Sequence, residues 1–130
     1  MKSMKSRIAL VCIILMALLV VGIGSAQEPP PQRPPANVAG KWTIYSKGSD
    51  GKTATKTIEL KQNGNILSGH FKGPYQSGGL EGSVNEQHIT FHTKTREVLY
   101  FQGRVDGDRI VGTFHDRTGH GEWQAVRTGN

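Results

Sequence analysis

From position 40 onward, apolar and polar residues alternate in short runs, and turn residues separate one run from the next. Alternation with a period of two is the signature of a strand with one buried face, and no stretch shows the 3.6-residue period of a helix. The pattern predicts eight strands, over 40–47, 54–62, 65–72, 78–84, 87–94, 97–105, 108–115 and 120–127. Three connections read as two-residue turns: Asn63-Gly64, Asn85-Glu86 and Asp106-Gly107. Asn-Gly and Asp-Gly suit a type I′ hairpin, in which both central residues need positive φ. Those turns would set Leu60 against Leu67, Leu80 against Phe91 and Leu99 against Phe114, with the large apolar residues of each hairpin on one face.

The run apolar-x-Gly-x-apolar occurs four times: Leu67-Gly69-Phe71, Leu80-Gly82-Val84, Phe101-Gly103-Val105 and Ile110-Gly112-Phe114. Inward glycines let strands coil sharply while a large neighbour covers the exposed backbone. Parity places Trp42, Phe71, Phe91, Phe101, Phe114 and Trp123 inside, and Tyr45, Tyr75 and Tyr100 outside or in loops. Eight consecutive strands on short turns predict a single antiparallel up-and-down (meander) β-barrel over 40–130, with a β-sandwich as the alternative.

Gly40-Lys41-Trp42 opens the first strand, and Arg127 closes the last on the parity of Trp123. In a closed meander these meet, so Arg127 is expected over the Trp42 ring, sealing one end by a cation–π contact. This arrangement resembles the calycin superfamily of lipocalins, fatty-acid-binding proteins and avidins, in which a G-x-W motif is covered by a basic residue of the final strand. The resemblance implies a small apolar ligand at the mouth opposite Trp42. Ile44 follows Thr43 where avidins carry polar biotin-binding residues, so biotin is not the implied ligand.

Before the barrel come two segments of different composition. Lys2, Lys5 and Arg7 precede an uncharged apolar run over 8–23, and Gly24-Ser25-Ala26 supplies small residues at a cleavage site. Residues 1–26 therefore read as a signal peptide, with a retained membrane anchor as the alternative; the run is shorter than the ~20 residues a span needs. Residues 27–39 read as a disordered spacer, because five of the six prolines fall within 28–36. The expected location is the periplasm or the extracellular space. Cys12, the one cysteine, would leave with the signal peptide. Cleavage also removes three of the sixteen basic residues, leaving little excess over the ten acidic ones. That balance, with no basic run, speaks against a nucleic-acid partner.

Chemistry is sparse. His88 and His92 are i, i+4, a chelating spacing on a helix but ~13 Å apart on a strand. His115, Asp116 and His120 could gather around the last hairpin as metal ligands, although a polar hairpin tip explains them as well. The inward face shows no carboxylate pair for acid–base work and no serine elbow. No cofactor is expected. Val98, Tyr100, Val111 and Val126 face outward on neighbouring strands and form a candidate patch for a partner or a dimer contact. The sequence thus predicts an exported, non-enzymatic binding module for a small apolar ligand. The alternative is a protein-binding module, such as a protease inhibitor acting through its surface or through residues 27–39.

Overall fold

The structure, a computed structural model, describes residues 33–130. The expected signal peptide and the outer part of the spacer lie outside the described residues. Eight strands follow one another: β1 (Gly40–Gly48), β2 (Thr53–Asn63), β3 (Ile66–Lys72), β4 (Ser77–Asn85), β5 (His88–Lys94), β6 (Tyr100–Asp106), β7 (Arg109–His115) and β8 (His120–Gly129). Each pairs antiparallel with the next, and β8 pairs back onto β1, so the sheet is a closed meander barrel. Among the described residues there is no helix.

Alternation sorts the side chains as the pleat requires. On β1, Gly40, Trp42, Ile44 and Ser46 are buried, and Lys41, Tyr45 and Lys47 are exposed. The interior is filled with Trp42, Ile44, Ile58, Leu60, Leu67, Phe71, Leu80, Val84, Ile89, Phe91, Phe101, Ile110 and Trp123, each at most 3 % exposed. Phe114 packs against this cluster but is only partly buried.

The register differs from the expected one in a uniform way. Asn63 pairs with Ile66, Asn85 with His88 and Asp106 with Arg109. The turns are therefore Gly64-Asn65, Glu86-Gln87 and Gly107-Asp108, each one residue later than the local chemistry suggested. Leu60 consequently faces Gly69, Gly82 faces Phe91 and Phe101 faces Phe114. Only the first residue of each turn has positive φ, at 62° for Gly64, 53° for Glu86 and 61° for Gly107. That is the sign pattern of type II′, not type I′. The later placement frees the second residue's carbonyl to bond the neighbouring hairpin. Asn65 O accepts from Val84 N at 2.9 Å, Gln87 O from Val105 N at 2.7 Å, and Asp108 O from Arg127 N at 2.9 Å. The three tips are laced together by bonds that no local turn rule contains.

The same shift re-pairs the glycines. Across β6–β7 Gly103 faces Gly112, and the large partners flank the pair, Ile89 opposite Gly103 and Trp123 opposite Gly112. A methyl group on Gly112 would fall onto Gln102 O, and one on Gly103 would lie 3.0 Å from Trp123 Cζ2. The bare backbone lets the Trp123 indole lie across both strands, and its Nε1 donates to Gln102 O and Thr113 O, each at 3.0 Å. The glycine pair is a seat for the indole.

The two ends of the barrel differ. All three tight turns lie at the end that holds Gly40 and Leu60. The longer connections, 49–52, 73–76, 95–99 and 116–119, all lie at the other end. Loop 95–99 also takes Glu97, Val98 and Leu99 out of the expected sixth strand, which begins at Tyr100. The sealed end carries a plug from the segment expected to be spacer: Val38 is fully buried, and Ala36 N donates to Glu86 O at 2.8 Å. Gln62 clamps it, accepting from Val38 N at 2.8 Å and donating to Ala36 O at 2.9 Å.

Candidate functional site

At the sealed end every strong polar group has a partner. The Arg127 guanidinium lies 4.5 Å from the Trp42 ring centroid. Its Nη1 donates to Ala39 O, its Nη2 to Asn37 O at 2.8 Å, and its Nε to the Asp108 carboxylate at 2.8 Å. The Trp42 indole donates to Val38 O at 3.0 Å. Gly40, with φ of 127°, takes the chain from the plug into β1 in a backbone conformation that L side chains rarely adopt. Gly40, Trp42 and Arg127 therefore form a floor tied together by hydrogen bonds and a cation–π contact.

The mouth is built differently. Phe91, Phe101 and Phe114 occupy one cross-strand row of β5, β6 and β7, with ring centroids 4.7 Å and 5.8 Å apart between neighbours. Trp123 meets Phe91 and Phe101 edge-on. Above this aromatic layer lies Lys56, 8 % exposed and on the inward parity of Ile58 and Leu60. Its Nζ stands 5.0 Å from the Phe114 centroid and 5.7 Å from that of Phe101. The amine donates to Ser46 Oγ at 2.9 Å, and Ser46 Oγ contacts Ala54 O at 3.4 Å. An ammonium has three donors, so two remain for whatever enters the mouth.

Burial lowers the Lys56 pKa from the ordinary lysine value, and the negative charge of Asp116 opposes that shift in part. Asp116 stands in the β7–β8 loop. Burial alone would raise its pKa. Hydrogen bonds from the Thr118 hydroxyl and from the Thr118 and Gly119 amides outweigh burial, and with the charge of Lys56 they hold the carboxyl below its usual range. Ser46, Lys56, Tyr75, Phe114, Asp116 and His120 line an open depression of about 490 Å³ over the aromatic layer. Its rim is tied together. Gln76 exchanges two hydrogen bonds with the Glu97 backbone at 2.8 and 3.0 Å, and the buried Thr93 hydroxyl accepts from Leu99 N at 3.0 Å.

Lys56, Ser46 and Thr93 went unrecognised as interior polar groups in the sequence, although parity alone places all three inside. The interior is solid below the aromatic row, so the mouth is a shallow cup whose base is cationic and aromatic, not a narrow apolar slot.

The other candidates fall apart or remain local. His115 and His120 are cross-strand partners, but Asp116 is turned into its own loop and the His115 ring stacks on Tyr100 at 5.0 Å. Among the described residues, no group of three or more His, Cys, Asp or Glu is placed to hold a metal ion. Val98 sits in a loop and is half-buried, and Tyr100 lies at the mouth between His92 and His115. Val111 and Val126 are diagonal neighbours further down the wall, so the four do not form one patch. A larger depression of about 830 Å³ crosses the outer wall between Tyr45, Thr55, Val111 and Gln124; its lining carries none of the buried polar groups that distinguish the mouth, apart from the edge of Ser46.

The chain shares its fold with small closed eight-stranded barrels. A redesigned β-barrel, b11L5F_LGL, superposes with a TM-score of 0.63 at 11 % identity, over 72 % of this chain and 92 % of that one. A second redesigned barrel, mFAP1 bound to DFHBI, gives 0.61 at 12 % identity, over 70 % and 94 %. A fluorescence-activating β-barrel designed de novo gives 0.56 at 19 % identity, over 69 % and 93 %. These identities establish the fold and nothing finer, and the calycin resemblance stands at that level. No protein-family profile matches the chain, and no curated protein matches it significantly.

Proposed function

We propose that this protein is an exported, non-enzymatic module that binds a small molecule in the open mouth of its barrel. The observation that carries the reading is the contrast in satisfaction between the two ends. Arg127 makes three hydrogen bonds at the floor, to two backbone carbonyls and a carboxylate, whereas Lys56 makes one, to a neutral hydroxyl, beside an open cup. A buried amine with a single neutral partner carries a desolvation cost that a bound acceptor would relieve. The aromatic layer beneath supplies an apolar base for the body of the ligand, the usual division of labour in a small-molecule site. That one structural neighbour of low identity is bound to a small fluorophore accords with the fold's capacity for such ligands.

Export rests on the composition of residues 1–26, and a mature N-terminus at Gln27 is its test. For binding, the test is a panel of fatty acids, retinoids, bilins and small aromatic compounds titrated into isotope-labelled protein. Binders should shift Ser46, Lys56, Phe114 and Trp123 while Trp42 and Arg127 stay still. If no compound moves the mouth, or if the shifts gather on the outer wall around Tyr45 and Val111, the mouth reading is wrong. The second outcome would favour a protein-binding surface.

A further inference from the structure

We infer that Lys56 is a covalent capture site for a small, flat aldehyde, aromatic or conjugated, held as an imine in the barrel mouth. This rests on the ligand-binding reading above and specifies its chemistry. Four features of the site select it. The amine is almost wholly withdrawn from solvent, and that burial lowers its pKa, while two phenyl faces beside it offer a flat surface on which a planar ligand can rest. It lines an open depression, so a carbonyl carbon can reach it. Its one hydrogen-bond partner is the neutral Ser46 hydroxyl, so no contact ion pair locks it in the protonated form. Asp116, in the same depression, makes no ion pair with it at 4.0 Å or less but acts on its charge. A carboxylate so placed disfavours an anionic ligand and favours a neutral one that becomes cationic after reaction.

The step balances without any oxidant or reductant. The Nζ lone pair attacks the aldehyde carbon, forming the C–N bond, and one nitrogen proton passes to the carbonyl oxygen to give a carbinolamine. The C–O bond then breaks and hydroxide departs with the second nitrogen proton as water, leaving the C=N double bond. A proton taken from solvent converts the imine to an iminium, whose charge faces Asp116. The phenyl rings of Phe114 and Phe101 support the conjugated body.

Other ionisable groups at the mouth are Asp50 and Lys52 of the β1–β2 connection, Tyr75 of the β3–β4 connection and His120 at the start of β8. None forms an ion pair with Lys56 at 4.0 Å or less. Lys41, Lys47 and Lys61 are exposed, lie outside the depression and act as internal controls.

The experiment incubates the whole protein with cinnamaldehyde at pH 7.5, reduces any imine with cyanoborohydride and maps the added mass by peptide. Lys56 should be labelled at least about twofold faster than any exposed lysine, because the cup holds the aldehyde beside its amine. Cinnamyl alcohol, which cannot form an imine, should slow labelling at Lys56 alone. In Asp116→Asn, the long-wavelength absorbance of the protonated cinnamyl imine should titrate away at lower pH. Labelling of Lys56 no faster than Lys61 overturns the inference. If cinnamyl alcohol still shifts the resonances of Ser46 and Phe114 in that case, the mouth binds but the amine does not react. If it shifts neither, the ligand-binding reading falls as well.

Discussion

The floor and the mouth of this barrel are made from the same kinds of residue and put to opposite uses. Each end has an inward cation over an aromatic ring: Arg127 over Trp42 at the floor, Lys56 over Phe114 at the mouth. At the floor, the planar guanidinium reaches two backbone carbonyls and a carboxylate at once, and the Val38 plug excludes water. At the mouth, a lysine offers a point charge with one neutral partner and no plug above it. Arg suits a fixed, many-partnered joint, whereas Lys shifts its protonation readily when buried. The difference separates a many-partnered closure from an open mouth within one molecule.

Substitutions can break that contrast. The largest effect should come from Trp42→Ala, which removes a fully buried indole from the floor and should destabilise by about 3–5 kcal/mol in urea unfolding. Arg127→Met keeps the bulk but leaves the Ala39 and Asn37 carbonyls unpaired; a loss of about 2 kcal/mol is expected. An effect as small as that of an exposed arginine would show the floor to be ordinary surface. Lys56→Met should go the other way, raising stability by about 1 kcal/mol, because a buried charge with poor compensation gives way to an apolar side chain. A loss of stability there would mean that the ammonium is well satisfied and that the two ends are alike.

The pH dependence sharpens the same point. Folding lowers the Lys56 pKa below its ordinary 10.5, so over the interval between the two values the unfolded chain binds the extra proton. Stability therefore rises with pH through that interval and levels off above 10.5. The difference between wild type and Lys56→Met, followed by urea unfolding from about pH 7 to 11, isolates this contribution. The smallest effect is predicted at a turn: Glu86→Gly relieves a non-glycine residue at φ of 53° and should stabilise by about 0.5 kcal/mol.

Much of this was legible from alternation alone. The parity of each strand determines which residues look inward, and it holds for Trp42, Phe101 and Trp123 as for Lys41 and Glu122. The turns were misplaced because moving a two-residue turn by one position shifts cross-strand partners by two, which leaves every side chain on its own face. Facing residues could not reveal the error. The bonds from Asn65, Gln87 and Asp108 to the next hairpin fix the true position, and they exist only once the barrel has closed. Val38 was hidden for the same reason, since its burial requires Gln62 from another strand. Lys56 was readable from parity, which it shares with Ile58 and Leu60, but its partners Ser46, Phe101 and Phe114 come from other strands.

Placing every short turn at the floor and every longer connection at the mouth has a consequence for change over time. Insertions, deletions and polar substitutions in 49–52, 73–76, 95–99 and 116–119 alter the rim without touching the laced tips or the indole seat. The scaffold and its specificity can therefore diverge independently, with the base inherited intact while new rims are tried upon it.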